Sequence, residues 1–160
     1  MPPKHIKGPT KAEQIKAALA TANALKQANW KTFWEHRVGH ITKGENKGGT
    51  PVGYHTKLFE GKGAVCKTFG EPTQIPDSLG CYKQEVALLT NTNPVKGPKT
   101  KESTFFPTTF TLAQIEAVCK SGYDNAGSQD LTKNFSSTST VEPGNGMKLR
   151  FSADSIYPEY

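Results

Sequence analysis

A chain of 160 residues and 17.4 kDa is long enough for one domain with a core of its own. At 34% hydrophobic and 21% charged, with a mean hydropathy of −0.59, it has no apolar run near the roughly 20 residues of a membrane-spanning helix, which excludes a helical membrane protein. The net charge of +6 comes almost wholly from lysine, since Arg37 and Arg150 are the only arginines among 20 basic residues; such a surface suits point-charge contact with phosphates better than bidentate reading of bases, and serves solubility equally well.

Met1-Pro2-Pro3-Lys4-His5 has no apolar stretch behind it, so no classical signal peptide is expected. Thr10-Lys11-Ala12-Glu13 reads as a capping box, in which a hydroxyl and a carboxylate three residues on satisfy two orphan backbone donors. Ile15, Ala18, Leu19, Ala22 and Leu25 recur at helical spacing behind it. Trp30, Phe33 and Trp34 continue the pattern as an anchor to a core, in one long helix or two short ones ending before Gly39. From Gly39 to Gly53, closely spaced glycines predict a mobile loop. Strands are expected at Tyr54–Phe59, Ala64–Phe69 and Gln84–Thr92, with a loop over Asn91–Pro98. Thr111-Leu112-Ala113-Gln114 is a second capping box, opening a helix that carries Ile115 and Val118 on one face and stops near Gly122. Residues 123–146, rich in Ser, Thr, Asn and Gly, read as a long surface excursion. Met147, Leu149 and Phe151 alternate with polar residues in a strand, and a last strand includes Ile156 and Tyr157. Helices first, then strands around one further helix, argue an α+β fold: an N-terminal helical segment, residues 1–35, and a mostly antiparallel sheet domain, residues 36–160.

Cys66, Cys81 and Cys119 lack CxxC spacing, which argues against a zinc site. An odd count favours free thiols, with a Cys66–Cys81 bridge left open, and Cys119 falls on the apolar side of its helix. The histidines His5, His36, His40 and His55 form neither HxH nor HExxH; His36 and His40, four apart, could share a helical face, but no carboxylates stand at metal-ligand spacing. His5 and His36 read as surface residues, with a place for His36 just behind the pocket left open. His40 and His55 each sit beside a glycine, and the Gly-rich segment between them can fold the chain back so that two imidazoles, on different strands, face one pocket. Two such histidines can cleave RNA, one taking the 2′-hydroxyl proton and the other protonating the leaving 5′-oxygen; an imidazole pKa near 6.5 suits both tasks. A lysine nearby would stabilise the extra charge of the transition state.

Three stretches carry a resemblance. His40-Ile41-Thr42-Lys43-Gly44-Glu45, then Gly48-Gly49, then Gly53-Tyr54-His55-Thr56 resembles the paired-histidine region of the EndoU endoribonucleases, down to the fifteen-residue separation. Lys101-Glu102-Ser103-Thr104-Phe105-Phe106-Pro107 is similar to the K-x-x-(S/T)-F-F-P stretch of bacterial EndoU toxin domains. Ser155-Ile156-Tyr157-Pro158 resembles the T-x-Y-P ending of the coronaviral uridylate-specific members. The three occur in family order over residues 36–160, while Gly61–Asn93 and the excursion at 123–146 have no counterpart in that pattern.

The resemblance implies the compact barnase/EndoU/colicin/RelE-like nuclease fold. It implies a metal-independent endoribonuclease that needs no cofactor and leaves 2′,3′-cyclic phosphate ends. It makes His40 the general acid and His55 the general base, with the two labels exchangeable, and Lys101 the third catalytic group, with Lys99 close enough to stand in for it. Ser103 and Thr104 would contact phosphate or base, or else serve as strand-start hydrogen-bonding groups. Ser155 and Tyr157 would bond a pyrimidine edge and stack on base or ribose, or else belong to a buried C-terminal strand. Phe105 and Phe106 read as core. The partners implied are RNA, transfer RNA among the family's targets, and an acidic immunity protein over a basic cleft. The role implied is an interbacterial toxin, monomeric by default, delivered into a target cell's cytoplasm. Two other readings compete: a non-catalytic RNA-binding module, which would tolerate loss of either histidine, and a metal-dependent nuclease, which would die in chelator.

Overall fold

Thr10 starts the first helix, with Oγ1 accepting a hydrogen bond from Glu13 N at 3.2 Å, the hydroxyl half of the expected capping box. The computed structural model describes residues 8–90, 99–126 and 134–160, with the backbone alone over 19–28, and divides the chain after Phe33 into two units. His5, the side chains of Leu19, Ala22 and Leu25, and the loop 91–98 therefore lie outside the described residues. Helix α1 spans Lys11–Thr42. In the first unit Ile15, one of the apolar residues at helical spacing, is 52% exposed. The Ala- and Lys-rich sequence holds a helix by propensity there without burying Ile15. The rings of Trp30 and Phe33 meet at 5.9 Å.

The second unit, residues 34–160, holds the rest of the fold. Gly39 does not end α1. Nothing lies within 4 Å of the place a Cβ would take, and the helix passes through it, with Lys43 N still bonding Gly39 O at 2.8 Å. The stop comes at Gly44, whose φ of +71° and contact with Cys66 leave no room for a side chain. The expected mobile loop is thus the last helical turn followed by a hairpin. Its strands β1 (Glu45–Lys47) and β2 (Thr50–Val52) pair antiparallel across Gly48-Gly49, both at positive φ as a two-residue turn demands.

Tyr54–Phe59 is not a strand. Instead Tyr54 N and His55 N bond the carbonyls of His40 and Ile41 at 2.8 and 2.7 Å, satisfying two acceptors that the end of α1 leaves open. The first sheet follows, antiparallel in the order β3 (Cys66–Gln74), β4 (Tyr82–Leu88), β5 (Thr100–Phe105). Tyr54, Cys66, Tyr82, Val86, Leu88 and Phe105 form its core, with Tyr82 stacked on Phe105 at 5.1 Å and Tyr54 edge-on to the same ring at 5.8 Å.

Helix α2 (Leu112–Asn125) opens on a complete capping box between Thr111 and Gln114. It runs on through Gly122, because that glycine lets the helix lie against Leu149 and Phe151: a Cβ there would come within 2.9 and 3.0 Å of them. The polar stretch 123–146 is not all excursion. It contains the end of α2 and β6 (Phe135–Thr138), which pairs with β7 (Lys148–Phe151), which pairs in turn with β8 (Ile156–Pro158). Phe135 explains the strand, stacking on Phe151 at 4.7 Å and 4°. Residues 127–133 lie outside the described set. The fold is α+β, and every strand pairing among the described residues is antiparallel. Cys66, Cys81 and Cys119 are free and buried, so no Cys66–Cys81 bridge forms. Among the described residues no helix is long and apolar enough to cross a membrane.

Candidate active site

The backbone bonds that close residues 54–55 onto the end of α1 also bring His40 and His55 together. His40 belongs to the last turn of the helix and His55 to the irregular segment after β2, so neither stands on a strand as the sequence suggested. Both are buried, at 6% and 7% exposure, and both line a cavity of about 370 Å³. Gly53 is the tight point between them. It has φ +74°, and a Cβ there would collide with His40 O and with Cδ2 of the His40 ring. Tyr54 follows at φ +68°, a region that aromatic residues rarely adopt, held by its bond to His40 O and its packing on Phe105.

His55 is fixed on both sides of its ring. Nδ1 lies 2.7 Å from Thr104 O, a pure acceptor, so Nδ1 carries the proton and Nε2 is the free base. Ser103 Oγ donates to Tyr54 O at 2.8 Å and presents its lone pairs to the same Nδ1 at 2.9 Å. Tyr157 stacks on the imidazole at 5.0 Å and 27°. Burial pushes the His55 pKa down to about 4, opposed by the bond to Thr104 O and reinforced by the nearby charges of His40 and Lys101; at neutral pH the ring is uncharged. His40 has the opposite kind of neighbour. Glu45 Oε1 lies 3.2 Å from its Nδ1, an ion-pair distance without the alignment of a hydrogen bond.

The other expected residues divide. Lys101 lines the cavity from β5, whereas Lys99, exposed just before that strand, does not. Ser103 lines it too, but its hydroxyl is engaged with Tyr54 O behind His55. Thr104 and Ser155 line the cavity, and Thr104 Oγ1 and Ser155 Oγ are buried with no hydrogen-bond partner among the described residues. A buried hydroxyl without a partner costs about 1–3 kcal/mol, which a ligand with matching polar atoms would recover. Tyr157 lines the cavity with one ring face already on His55. His36 is exposed and outside it.

Three features escaped the sequence reading. Lys47, at the end of β1, lines the cavity, as do Ser152 and Asp154 of the β7–β8 turn. Arg37, one helical turn before His40, is buried and donates from Nε to Ser152 O at 3.0 Å across 115 residues. Burial holds its guanidinium below its ordinary pKa, and the Asp154 carboxylate opposes that shift. The turn is closed by Ser155 N to Ser152 Oγ at 3.0 Å and Ser152 N to Ser155 O at 2.9 Å. Glu45 stood in the paired-histidine motif, and its spacing from His40 was the one signal available. Nothing in the sequence pairs Arg37 with residue 152. Among the described residues no three His, Cys, Asp or Glu side chains are grouped as a metal site requires.

An imidazole poised to accept a proton, a second imidazole backed by a carboxylate, a lysine, and two unsatisfied hydroxyls share one cavity. That set can move two protons and hold an anion between them. Among protein families, the sequence model described as bacterial EndoU nuclease matches residues 35–160. Neither the comparison with curated proteins nor that with solved structures finds a match.

Proposed function

The chain belongs to the bacterial EndoU nuclease family, and from that membership and the cavity we propose that it is an endoribonuclease cutting RNA by 2′-hydroxyl attack, with no metal ion in the chemistry. His55 Nε2 takes the 2′-hydroxyl proton, and the 2′-oxygen attacks the adjacent phosphorus. The P–O5′ bond breaks as His40 Nε2–H gives its proton to the leaving oxygen, so that one fragment ends in a 2′,3′-cyclic phosphate and the other begins with a 5′-hydroxyl. Lys101 offsets the charge that builds on the phosphoryl oxygens. Ser155 Oγ and Thr104 Oγ1 bond the nucleotide, and Tyr157, besides bracing His55, offers its ring to base or ribose.

The observation that carries this reading is the protonation pattern at His55. A neutral, buried imidazole with its proton held on Nδ1 by Thr104 O is already the base form at pH 7. It supports His55 as base and leaves the acid role to His40, whose Nδ1 side is occupied by Glu45. The net charge of +6 suits an RNA substrate, and also an acidic immunity protein over the cavity. The chain then acts as a toxin delivered into the cytoplasm of a competing bacterium. Uridine preference and a transfer RNA target belong to the same reading.

Incubating wild type, His40→Ala and His55→Ala with total bacterial RNA in EDTA and mapping the fragment ends tests it. Cyclic phosphate ends from wild type alone are expected. Cleavage that needs added metal, or RNA binding without cleavage, would contradict it in favour of a metal-dependent nuclease or a binding module.

A further inference from the structure

The charges around the cavity do not cancel, and the residue that unbalances them is Lys47. Glu45 and Lys47 are two apart on β1 and so share one face of that strand. Glu45 uses that face to reach His40 Nδ1, and Lys47 lines the same cavity one step nearer the hairpin tip. Two carboxylates also line the cavity, but each acts on a cation outside its lining. Glu102 Oε1 lies 3.9 Å from Lys83 Nζ, and its Oε2 accepts from Thr73 Oγ1. Asp154 acts on the buried guanidinium of Arg37. Among the described residues neither Lys47 nor Lys101 is in an ion pair. The cavity therefore offers two uncompensated ammonium groups, carried by different elements.

One phosphodiester is a monoanion. Lys101 suffices for it, being the lysine whose charge is felt at His55. A nucleic-acid strand brings its next monoanion one nucleotide away, and a second cation at the rim of the same cavity is placed to meet it. Lysine is apt for this, since its long stem and three rotatable donors follow a phosphate whose position the strand sets. The hairpin that carries it is short and pinned at both ends, by the end of α1 and by the bonds of residues 54 and 55.

We infer that Lys47 binds a second RNA phosphate, the neighbour of the one cleaved, so that the enzyme reads a strand and not a single linkage. The inference rests on the ribonuclease reading given above. It is tested with the four dinucleoside monophosphates NpA and the same compounds carrying one further phosphate, pNpA and NpAp. For wild type, one of the two additions should raise kcat/KM by about five-fold at low salt. In Lys47→Ala that ratio should fall to near one. Lys47→Arg should keep it, as should Lys148→Ala, which removes an exposed lysine outside the cavity. Because the readout is a ratio within each variant, a loss of folded protein does not mimic the effect. An unchanged ratio in Lys47→Ala, or no gain from either phosphate in wild type, would overturn the inference. Failure of wild type to cleave total RNA in the same buffer would overturn the ribonuclease reading and the inference with it.

Discussion

In the proposed mechanism His55 couples the stability of this protein to its chemistry. Its folded-state pKa, about 4, is below the 6.5 of an unfolded chain. Between those values the unfolded state binds the proton that the folded state refuses, so stability falls as pH drops from about 6.5 to about 4, by on the order of 3 kcal/mol. Thermal melts across that window should show the loss in wild type and a clearly smaller one in His55→Gln. The same depressed pKa keeps the base form available in acid, so the acid limb of kcat/KM should fall near pH 4 and not near 6.5. Gly53 is the other decisive residue. In Gly53→Ala the new methyl group meets the His40 ring and backbone at a positive φ, and kcat should drop by about a hundred-fold or more, as displacement of an acid by an ångström implies.

Among the elements, the β7–β8 turn depends on a contact that spans 115 residues. Arg37→Gln removes the guanidinium that bonds Ser152 O and faces Asp154. Substrate cleavage should then show a raised KM with a smaller change in kcat, because the turn lines the cavity while the histidines are held by their own backbone bonds. By contrast, Thr111→Ala should cost about 1 kcal/mol in stability with turnover unchanged, since that cap lies outside the cavity. The elements also show what could be read in advance. Hydroxyl caps at Thr10 and Thr111 are local chemistry, and both helices start where those residues put them. Helix ends misled, because Gly39 and Gly122 are tolerated within helices for different reasons: open space at one, close packing on Leu149 and Phe151 at the other. Strand β6 was hidden in polar sequence, since Phe135, stacked on Phe151, is its one buried residue.

For the molecule as a whole, the cavity was legible to the extent that its residues lie in compact motifs. His40, His55, Lys101, Ser103, Thr104, Ser155 and Tyr157 come from three short stretches, and all line one cavity. Lys99 versus Lys101 needed the strand's direction, which spacing alone does not give. Lys47 and Arg37 were not legible, because a lysine in a Gly-rich segment and an arginine in a helix acquire meaning only when distant elements meet. The excess of positive charge should also act globally. Cleavage of long RNA should slow steeply as salt rises, and more steeply than cleavage of a dinucleotide, which meets fewer of the lysines. In the proposed function the strand is cut by its own 2′-hydroxyl, activated at His55. The most direct measurement compares an RNA oligonucleotide with one bearing a single 2′-deoxynucleotide 5′ to the cleaved bond. Cutting at that bond should disappear while other sites are still cut. Equal cutting of the deoxy-substituted bond would contradict it.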